Sequence, residues 1–367
     1  MFEYIDGFAK FADVKSYKVV SCIMSEEPLV SIMIPTYRRP ELLKETIESA
    51  LSQETDFPFE VVVVDNDSTE LVPDAISNVV KGFRAKNLSL CRNEKNLGMI
   101  GNWNRCIELA RSDWLVILHD DDLVKQNWLQ ATFGNKSQRS LVASSFEIFG
   151  DNFKETFIKG LIKKTLQHFL DLFRYKSSIR AVQPSDVLID CPICASGAML
   201  NKTACLELGG YDPDKWPLCD YLFSAKYIAK FGGFVLKERF VKYRIAENES
   251  GNPDTFLAVP DGTYKLRSNV LFYMASTGTA FYLLSAIIAY MHKLEARIAM
   301  NRFNLHKVAN SGDTTAKRHI IQVITSFTIP PGLVLRLIFF ICWLVITLHD
   351  LIPGVRKLTF RSTNCRL

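Results

Sequence analysis

Through its first third the chain alternates short, solidly apolar runs with stretches whose apolar residues recur at helical spacing. Residues 29–34 read LVSIMI, a compact run that predicts a buried strand closed by Pro35. Pro40 and Glu41 then open a helix in which Leu43, Ile47, Ala50 and Leu51 share a face. Residues 59–64 (FEVVVV) are β-branched and do not alternate, which predicts a strand buried on both faces. That strand ends in Asp65, Asn66, Asp67 and Ser68, residue types that form loops and helix caps. A second helix is predicted over 71–81 and a short strand over 88–91. A third helix follows Asn96-Leu97-Gly98 and carries Trp103, Ile107 and Ala110. Residues 114–118 (WLVIL) form the next buried strand and run straight into His119-Asp120-Asp121-Asp122. Strand and helix alternating in this way predict an α/β, doubly wound, mostly parallel sheet. Such sheets bind ligands beyond the carboxyl ends of their strands, which is where every polar cluster just named falls.

Beyond residue 125 the pattern is less regular. Residues 126–190 are expected to be a helical insertion. Within it Leu161, Ile162, Leu166, Phe169, Leu170 and Phe173 lie on one helical stripe, either packed on the domain or acting as a lid or membrane-contacting amphipathic helix. Two later stretches are unusually apolar. Residues 271–291 are aromatic but diluted by Ser, Thr and Gly, while 332–348 (GLVLRLIFFICWLVITL) carry Arg336 as their one charge. As a helix the latter reaches roughly 26 Å, a little short of a bilayer core of about 30 Å. It reads as a membrane-inserted or interface-lying segment, or as half of a buried helix hairpin. Arg356, Lys357, Arg361 and Arg366 follow it and favour an anionic lipid surface. The expected organisation is an N-terminal extension (1–28), a ligand-binding half (29–125), the insertion (126–190), a second half (191–262) and a C-terminal helical appendage (263–367).

Composition narrows the function classes. With 48% hydrophobic and 23% charged residues among 367, the chain can bury a sizeable core. A net charge of +5 does not call for nucleic acid; it suits phosphate-bearing substrates or an anionic surface. Nine irregularly spaced cysteines argue against a disulfide framework and for a reducing compartment. The lone C-x-x-C of Cys191 and Cys194 lacks the second pair a zinc site needs. The N-terminal residues interleave charges with aromatics and so lack the apolar stretch of a signal peptide.

Three adjacent carboxylates at the end of an apolar strand repel one another and raise one another's pKa. A divalent cation relieves this, and oxygen ligands suit Mn²⁺ or Mg²⁺. Asp120 and Asp122, one residue apart, are placed to share one metal–diphosphate assembly. Taken alone, the run is equally well read as a solvated acidic turn or helix cap.

Its setting favours the metal. SIMIPTYRR at 31–39, VVVVDNDS at 61–68, Asn96-Leu97-Gly98 and LVILHDDDL at 115–123 occur in this order and spacing. Together they resemble the nucleotide-binding half of glycosyltransferase family 2, of the GT-A fold, in its bacterial surface-polysaccharide form; the resemblance runs from about residue 29 to residue 250. It implies that Pro35, Thr36 and Tyr37 line the base pocket and that Asp65, with Asp67 nearby, hydrogen-bonds the base or ribose. Asn66 and Asp67 stand where the family commonly has Asp and Gly, which leaves the division of labour between Asp65 and Asp67 open. Asn96 and Gly98 match the nucleotide-side loop, where Gly lets backbone approach the ligand. Asp120 and Asp121 face the sugar nucleotide, and Asp120 with Asp122 would hold the metal, Asp122 most directly. Arg38 and Lys95 either supplement the metal's charge or are solvated.

The second half matches too. Ala195-Ser196-Gly197-Ala198-Met199-Leu200 and Leu208-Gly209-Gly210-Tyr211-Asp212 resemble the acceptor-side strand and its Gly-Gly-aromatic-Asp turn. Cys219-Asp220 falls where the family has Glu-Asp, which assigns Asp220 as catalytic base; its residue-level alternative is the N-cap of a helix beginning at Tyr221. The eight residues from Tyr243 to Ser250 resemble the segment that closes the donor site. They contain no histidine, so the metal would be held by aspartates and phosphates alone, or with Glu247 or Asn248. The resemblance implies an inverting transfer of one sugar from a nucleoside-diphosphate sugar to a hydroxyl of a glycan or polyprenyl-linked acceptor. It also implies work at the cytoplasmic face of the cell membrane, in surface polysaccharide synthesis such as O-antigen assembly. The processive synthases' Q-x-x-R-W is absent. A nucleotidyltransferase, or a protein that binds sugar nucleotides without catalysis, would share the sheet and the acidic run.

Overall fold

The computed structural model describes residues 4–67, 74–150, 178–182, 184–188, 191, 193–244, 253–274, 282, 284–293, 295–297 and 299–300. These belong to two compact units. One is formed by Phe2–Gln183 with Cys191–Ala246, the other by Pro184–Asp190 with Glu247–Leu367 and Met1.

The larger unit is built on one sheet. Its first half contains β1 (Ser16–Val20), β2 (Val30–Thr36), β3 (Phe59–Asp65), β4 (Leu88–Asn93) and β5 (Trp114–Ile117). Strand β2 pairs in parallel with both β3 and β5, and β3 pairs in parallel with β4. The intervening helices are α1 (Pro40–Leu51), α2 (Ala75–Gly82) and α3 (Gly98–Leu109). Alternation along the strands divides the helices between the two faces. Ile32, Ile34, Val61 and Val63 share a fully buried cluster with Leu43, Ile47 and Ala50 of α1 and Ile76 and Val80 of α2. The alternate residues Met33, Val62, Leu115 and Ile117 are buried on the opposite face, and α3 packs against β2, β3 and β5. Burying each such side chain contributes roughly 1.5–3 kcal/mol. The doubly wound α/β architecture is therefore present as expected.

Strand β2 runs through Pro35, the expected stop, to Thr36. The Asn66 N–H donates to the Thr36 carbonyl, so Thr36 presents its backbone to β3. Pro35 then turns its nitrogen toward β5, where pairing already ends at Met33–Ile117. The missing N–H is lost where no ladder bond is needed.

The second half adds β6 (Leu123–Val124), α4 (Trp128–Gly134), β7 (Leu141–Phe149), β8 (Ile179–Val182), β9 (Met199–Asn201), α5 (Lys202–Glu207), α6 (Cys219–Phe231) and β10 (Gly233–Arg244). The strand order is β1-β4-β3-β2-β5-β9-β7-β10-β6, with β8 on β10. Antiparallel β9 joins the halves by pairing with β5 and β7, and β7 lies parallel to β10. This corrects the expectation of a helical insertion over 126–190, because β7 is an integral strand of the sheet. Its four buried residues, Leu141 to Ser144, give way to a partly exposed second half, so neither a buried run nor strict alternation marks it. The amphipathic stripe from Leu161 to Phe173 lies outside the described residues.

The residues expected to be a separate extension belong to the larger unit. Strand β1 closes one sheet edge by antiparallel pairing with β4. Upstream of it, the Gly7 N–H donates to the Gly209 carbonyl at 2.8 Å, and Asn104 Nδ2 donates to the carbonyls of Gly7 and Tyr211.

In the smaller unit, a 3₁₀ turn at Pro184–Leu188 packs against α7 (Pro253–Met274), which begins before the expected boundary at 263. Buried Arg267 pairs with Glu295 at 2.8 Å, and the Thr263 hydroxyl donates to the other Glu295 oxygen at 3.1 Å. No helix among the described residues is long and apolar enough to cross a membrane. The segment 332–348 and the basic tail lie outside the described residues.

Candidate active site

The polar clusters expected at the strand ends do gather there. Asp65 is the last residue of β3 and is buried, with Arg92 donating to its Oδ2 at 2.9 Å and the Asp67 N–H to its Oδ1 at 3.0 Å. Burial raises its pKa, and the Asp67 amide and Arg92 oppose the rise. Asp67 receives two bonds from Arg38, at 2.8 and 3.2 Å. Arg38 also stacks over Tyr37, which is exposed, whereas Pro35 and Thr36 are buried.

Asn66, to which the sequence assigned no role, is the hub of this end. Its Nδ2 donates to Asn96 Oδ1 and to the Gly98 carbonyl, while its Oδ1 accepts from Asn93 and from the Leu97 N–H. The β3 and β4 ends and the start of α3 are thereby one hydrogen-bonded assembly. Gly98 opens α3 at φ +69°, a left-handed conformation that favours glycine, and nothing lies within 4 Å of where a Cβ would be.

The aspartate run is held from three directions. Asp120 Oδ2 accepts from the Thr36 hydroxyl at 2.8 Å, and Arg39 bridges Asp120 Oδ1 and Asp121 Oδ2 at 3.3 and 3.0 Å. Arg39 thus meets the acidic charge that Arg38 and Lys95 were candidates to meet; Arg38 sits on Asp67 and Lys95 is exposed. The Thr46 hydroxyl of α1 donates to the Asp122 carbonyl. The Arg244 N–H at the end of β10 donates to Asp122 Oδ1 at 2.9 Å, and Arg244 Nε donates to the Asp121 carbonyl at 2.8 Å.

Asp122 is fully buried, and its second oxygen, Oδ2, has no hydrogen-bond partner. Burial pushes its pKa up to about 6, opposed by the His119 imidazole, the Ser196 hydroxyl and the Arg244 amide, with the Asp121 charge adding to the rise. His119, missed in the sequence as a site residue, stacks on Trp103 with centroids 4.9 Å apart and an interplanar angle of 15°. Its Nδ1 lies 3.8 Å from Asp122 Oδ2. One ligand atom each from His119, Asp121 and Asp122 falls within 4.8 Å of the others. Asp120, expected to share a metal with Asp122, is outside this cluster; Thr36 and Arg39 bond its two oxygens, and Arg39 bonds Asp121 Oδ2 as well. Only a tertiary contact could have revealed this.

Asp220 lies in the first turn of α6 and is partly buried. The helix starts at Cys219 with Leu218 as its N-cap, so Asp220 is not the cap, although its Oδ1 accepts from the Tyr221 N–H at 2.7 Å. Trp216, four residues upstream, is exposed and does not cover it. Burial raises the Asp220 pKa, opposed by the Tyr221 amide and by His119. The Cys194 thiol, pushed up by burial, is pushed further by both Asp122 and Asp220. The charges of Asp122 and Asp220 thus both bear on the Cys194 thiol. Residues 245–252, including Glu247 and Asn248, lie outside the described residues.

Comparison with known proteins bears on the family and the fold. Residues 31–198 match the family model for glycosyl transferase family 2. An uncharacterized glycosyltransferase of Methanocaldococcus jannaschii is 34% identical over 233 residues, covering 61% of this chain and 73% of that protein. A protein named as a colanic acid biosynthesis glycosyl transferase in Escherichia coli is 29% identical over 123 residues, covering 34% of this chain and 42% of that one. Among solved structures, a mannosyltransferase from Pyrobaculum calidifontis in complex with GDP-Man and Mn²⁺ superposes with a TM-score of 0.51 at 17% identity, covering 92% of this chain and 90% of that one. S. aureus TarS in complex with UDP-GlcNAc gives a TM-score of 0.50 at 17% identity, covering 81% and 91%. With the GT-A fold and this sequence match, the chain belongs to glycosyltransferase family 2.

Proposed function

We propose that this glycosyltransferase is inverting and metal-dependent, moving a single sugar from a nucleoside-diphosphate sugar to a hydroxyl of a glycan acceptor in polysaccharide synthesis. The observation that carries the reading is the convergence of two acids with different surroundings. Asp122 is buried with an unpartnered oxygen, and Asp220, in the first turn of α6, adds its charge to that of Asp122 in raising the Cys194 thiol. The unpartnered Asp122 oxygen fits a divalent cation, since leaving a buried carboxylate oxygen unsatisfied is costly without one. Asp122 and Asp121 would hold that cation, which when bound supplies positive charge to the departing diphosphate.

Thr36 and Arg39 fix Asp120 and the loop around it. Tyr37, Asp67, Asn96 and Gly98 form the rim on which the nucleotide rests, with Asp65 setting the position of Asp67 through its amide. Asp220 accepts the proton of the acceptor hydroxyl as that oxygen bonds to the anomeric carbon and the bond from that carbon to the diphosphate oxygen breaks. One displacement inverts the anomeric centre, and no protein nucleophile is needed. The neighbours' complexes with UDP-GlcNAc and with GDP-Man and Mn²⁺ support a nucleotide-sugar donor and a cation. The name of the Escherichia coli relative supports a polysaccharide product. A polyprenyl-linked acceptor at the inner membrane face is the setting that the apolar 332–348 segment and the basic tail favour.

The test is a panel of UDP-, GDP- and dTDP-sugars, with and without Mn²⁺, assayed for nucleoside-diphosphate release. Asp122→Ala is expected to abolish metal-dependent donor binding in titration calorimetry. Asp220→Asn is expected to retain donor binding and lose transfer. Turnover close to wild type in Asp220→Asn would remove the base assignment, and failure of every nucleoside diphosphate to bind would remove the whole reading.

A further inference from the structure

Asp121 and Asp122 leave open which other protein group completes the cation site and which ion it selects; both questions rest on the donor-site reading above. We infer that the His119 imidazole is a direct third ligand, making the site a mixed nitrogen–oxygen centre that selects Mn²⁺ over Mg²⁺.

Four observations carry this. His119, Asp121 and Asp122 each offer a ligand atom within 4.8 Å of the others. Asp122 is fully buried and its Oδ2 has no partner. His119 Nδ1 is 3.8 Å from that oxygen, beyond hydrogen-bond reach. Two ligands each about 2.1 Å from one ion lie roughly 3–4 Å apart, so the spacing suits a shared cation. The imidazole is also held in place. The ring stacks on Trp103, and the backbone that carries it is fixed by the His119 main-chain N–H, which donates to the buried Ser196 Oγ at 3.1 Å.

The ligand set decides the ion. Mg²⁺ binds oxygen and dehydrates reluctantly, whereas an imidazole strengthens binding of first-row transition ions along the Irving–Williams order. Replacing a carboxylate by a neutral ring also removes one negative charge from a loop already crowded with them.

The full chain is loaded with Mn²⁺ alone, with Mn²⁺ and UDP, and with Mn²⁺ and GDP, then examined by pulsed EPR. The expected result is a ¹⁴N coupling of a directly bound imidazole, which disappears in His119→Asn. In that variant Mn²⁺ affinity is expected to fall about tenfold or more, and the excess of Mg²⁺ needed to displace half the Mn²⁺ to fall with it. Mn²⁺ bound with oxygen ligands alone would overturn the inference and leave the glycosyl-transfer reading intact. No bound Mn²⁺ in any of the three samples would overturn the inference and the metal dependence together, while donor turnover without metal would still report on transfer. The decisive signal is read on the unaltered chain, so a folding defect in the variant does not cloud it.

Discussion

At the scale of single residues the site is a balance of charges that the fold holds at some expense. Burial raises the pKa of Asp220, so the folded chain binds that proton more tightly than the unfolded chain does. Between the unfolded and folded pKa values stability therefore falls as pH rises, and at neutral pH the ionised carboxylate is a net destabilisation. Asp220→Asn keeps an acceptor for the Tyr221 N–H and removes the charge. It is expected to raise the thermal midpoint by on the order of 2 °C in calorimetry while lowering the transfer rate by about 10²–10⁴-fold. A variant that is both slower and less stable would count against a buried catalytic carboxylate. The same shift has a kinetic counterpart. The base must be ionised to accept a proton, so kcat should fall on the acid side with an apparent pKa above the ordinary aspartate value of about 3.9. A flat profile down to the ordinary range would contradict it.

At the scale of elements, the strand ends matter less as sequence motifs than as joints. Asn66 is buried and ties the end of β3 to Asn93 of β4 and to Leu97 and Gly98 at the start of α3. Asn66→Ala leaves the Leu97 N–H and an Asn93 N–H without that acceptor. The unfolding free energy in a urea titration should drop by about 2–4 kcal/mol, and the donor Kd should rise with it, because Asn96 and Gly98 lose their anchor. The aspartate loop is a joint of the same kind. Thr36 at the end of β2 and Arg39 just before α1 hold Asp120 and Asp121, and Arg244 at the end of β10 holds Asp122, so both halves of the sheet position the loop.

At the scale of the whole molecule, the residues before β2 are part of the larger unit's framework. A Cβ on Gly7 would lie 2.2 Å from the Tyr211 carbonyl oxygen and 3.0 Å from Asn104 Nδ2, contacts that require the N-terminal segment to move away. Gly7→Ala is expected to cost about 1–3 kcal/mol of stability, measured by denaturant unfolding. The effect should extend to the site, since Tyr211 packs edge-on against Trp103 and Trp103 stacks on His119. Unchanged stability would show that the N-terminal residues are dispensable.

The sequence by itself determined the parts of this protein that depend on near neighbours along the chain. Helical spacing in α1, the β-branched run of β3 and the apolar WLVI of β5 predicted those elements within about two residues. Polar residues that must interrupt such runs marked the ligand-binding edge. Asp122 was singled out this way, whereas Asp220 was assigned from the family resemblance, which also supplied the role expected of Asp122. What only the tertiary structure decided is how adjacent, chemically alike residues divide their work. Arg38 turns to Asp67 and Arg39 to Asp120 and Asp121; Asp120 faces Thr36 while Asp121 and Asp122 face His119. Nothing local distinguishes them, because each choice is made by a partner from another element. The contacts of Ser196 with His119 and of Arg244 with Asp122 span 77 and 122 residues. β1 and β7 were missed for the same reason: each is made a strand by its partners, β4 and β10, rather than by its own pattern.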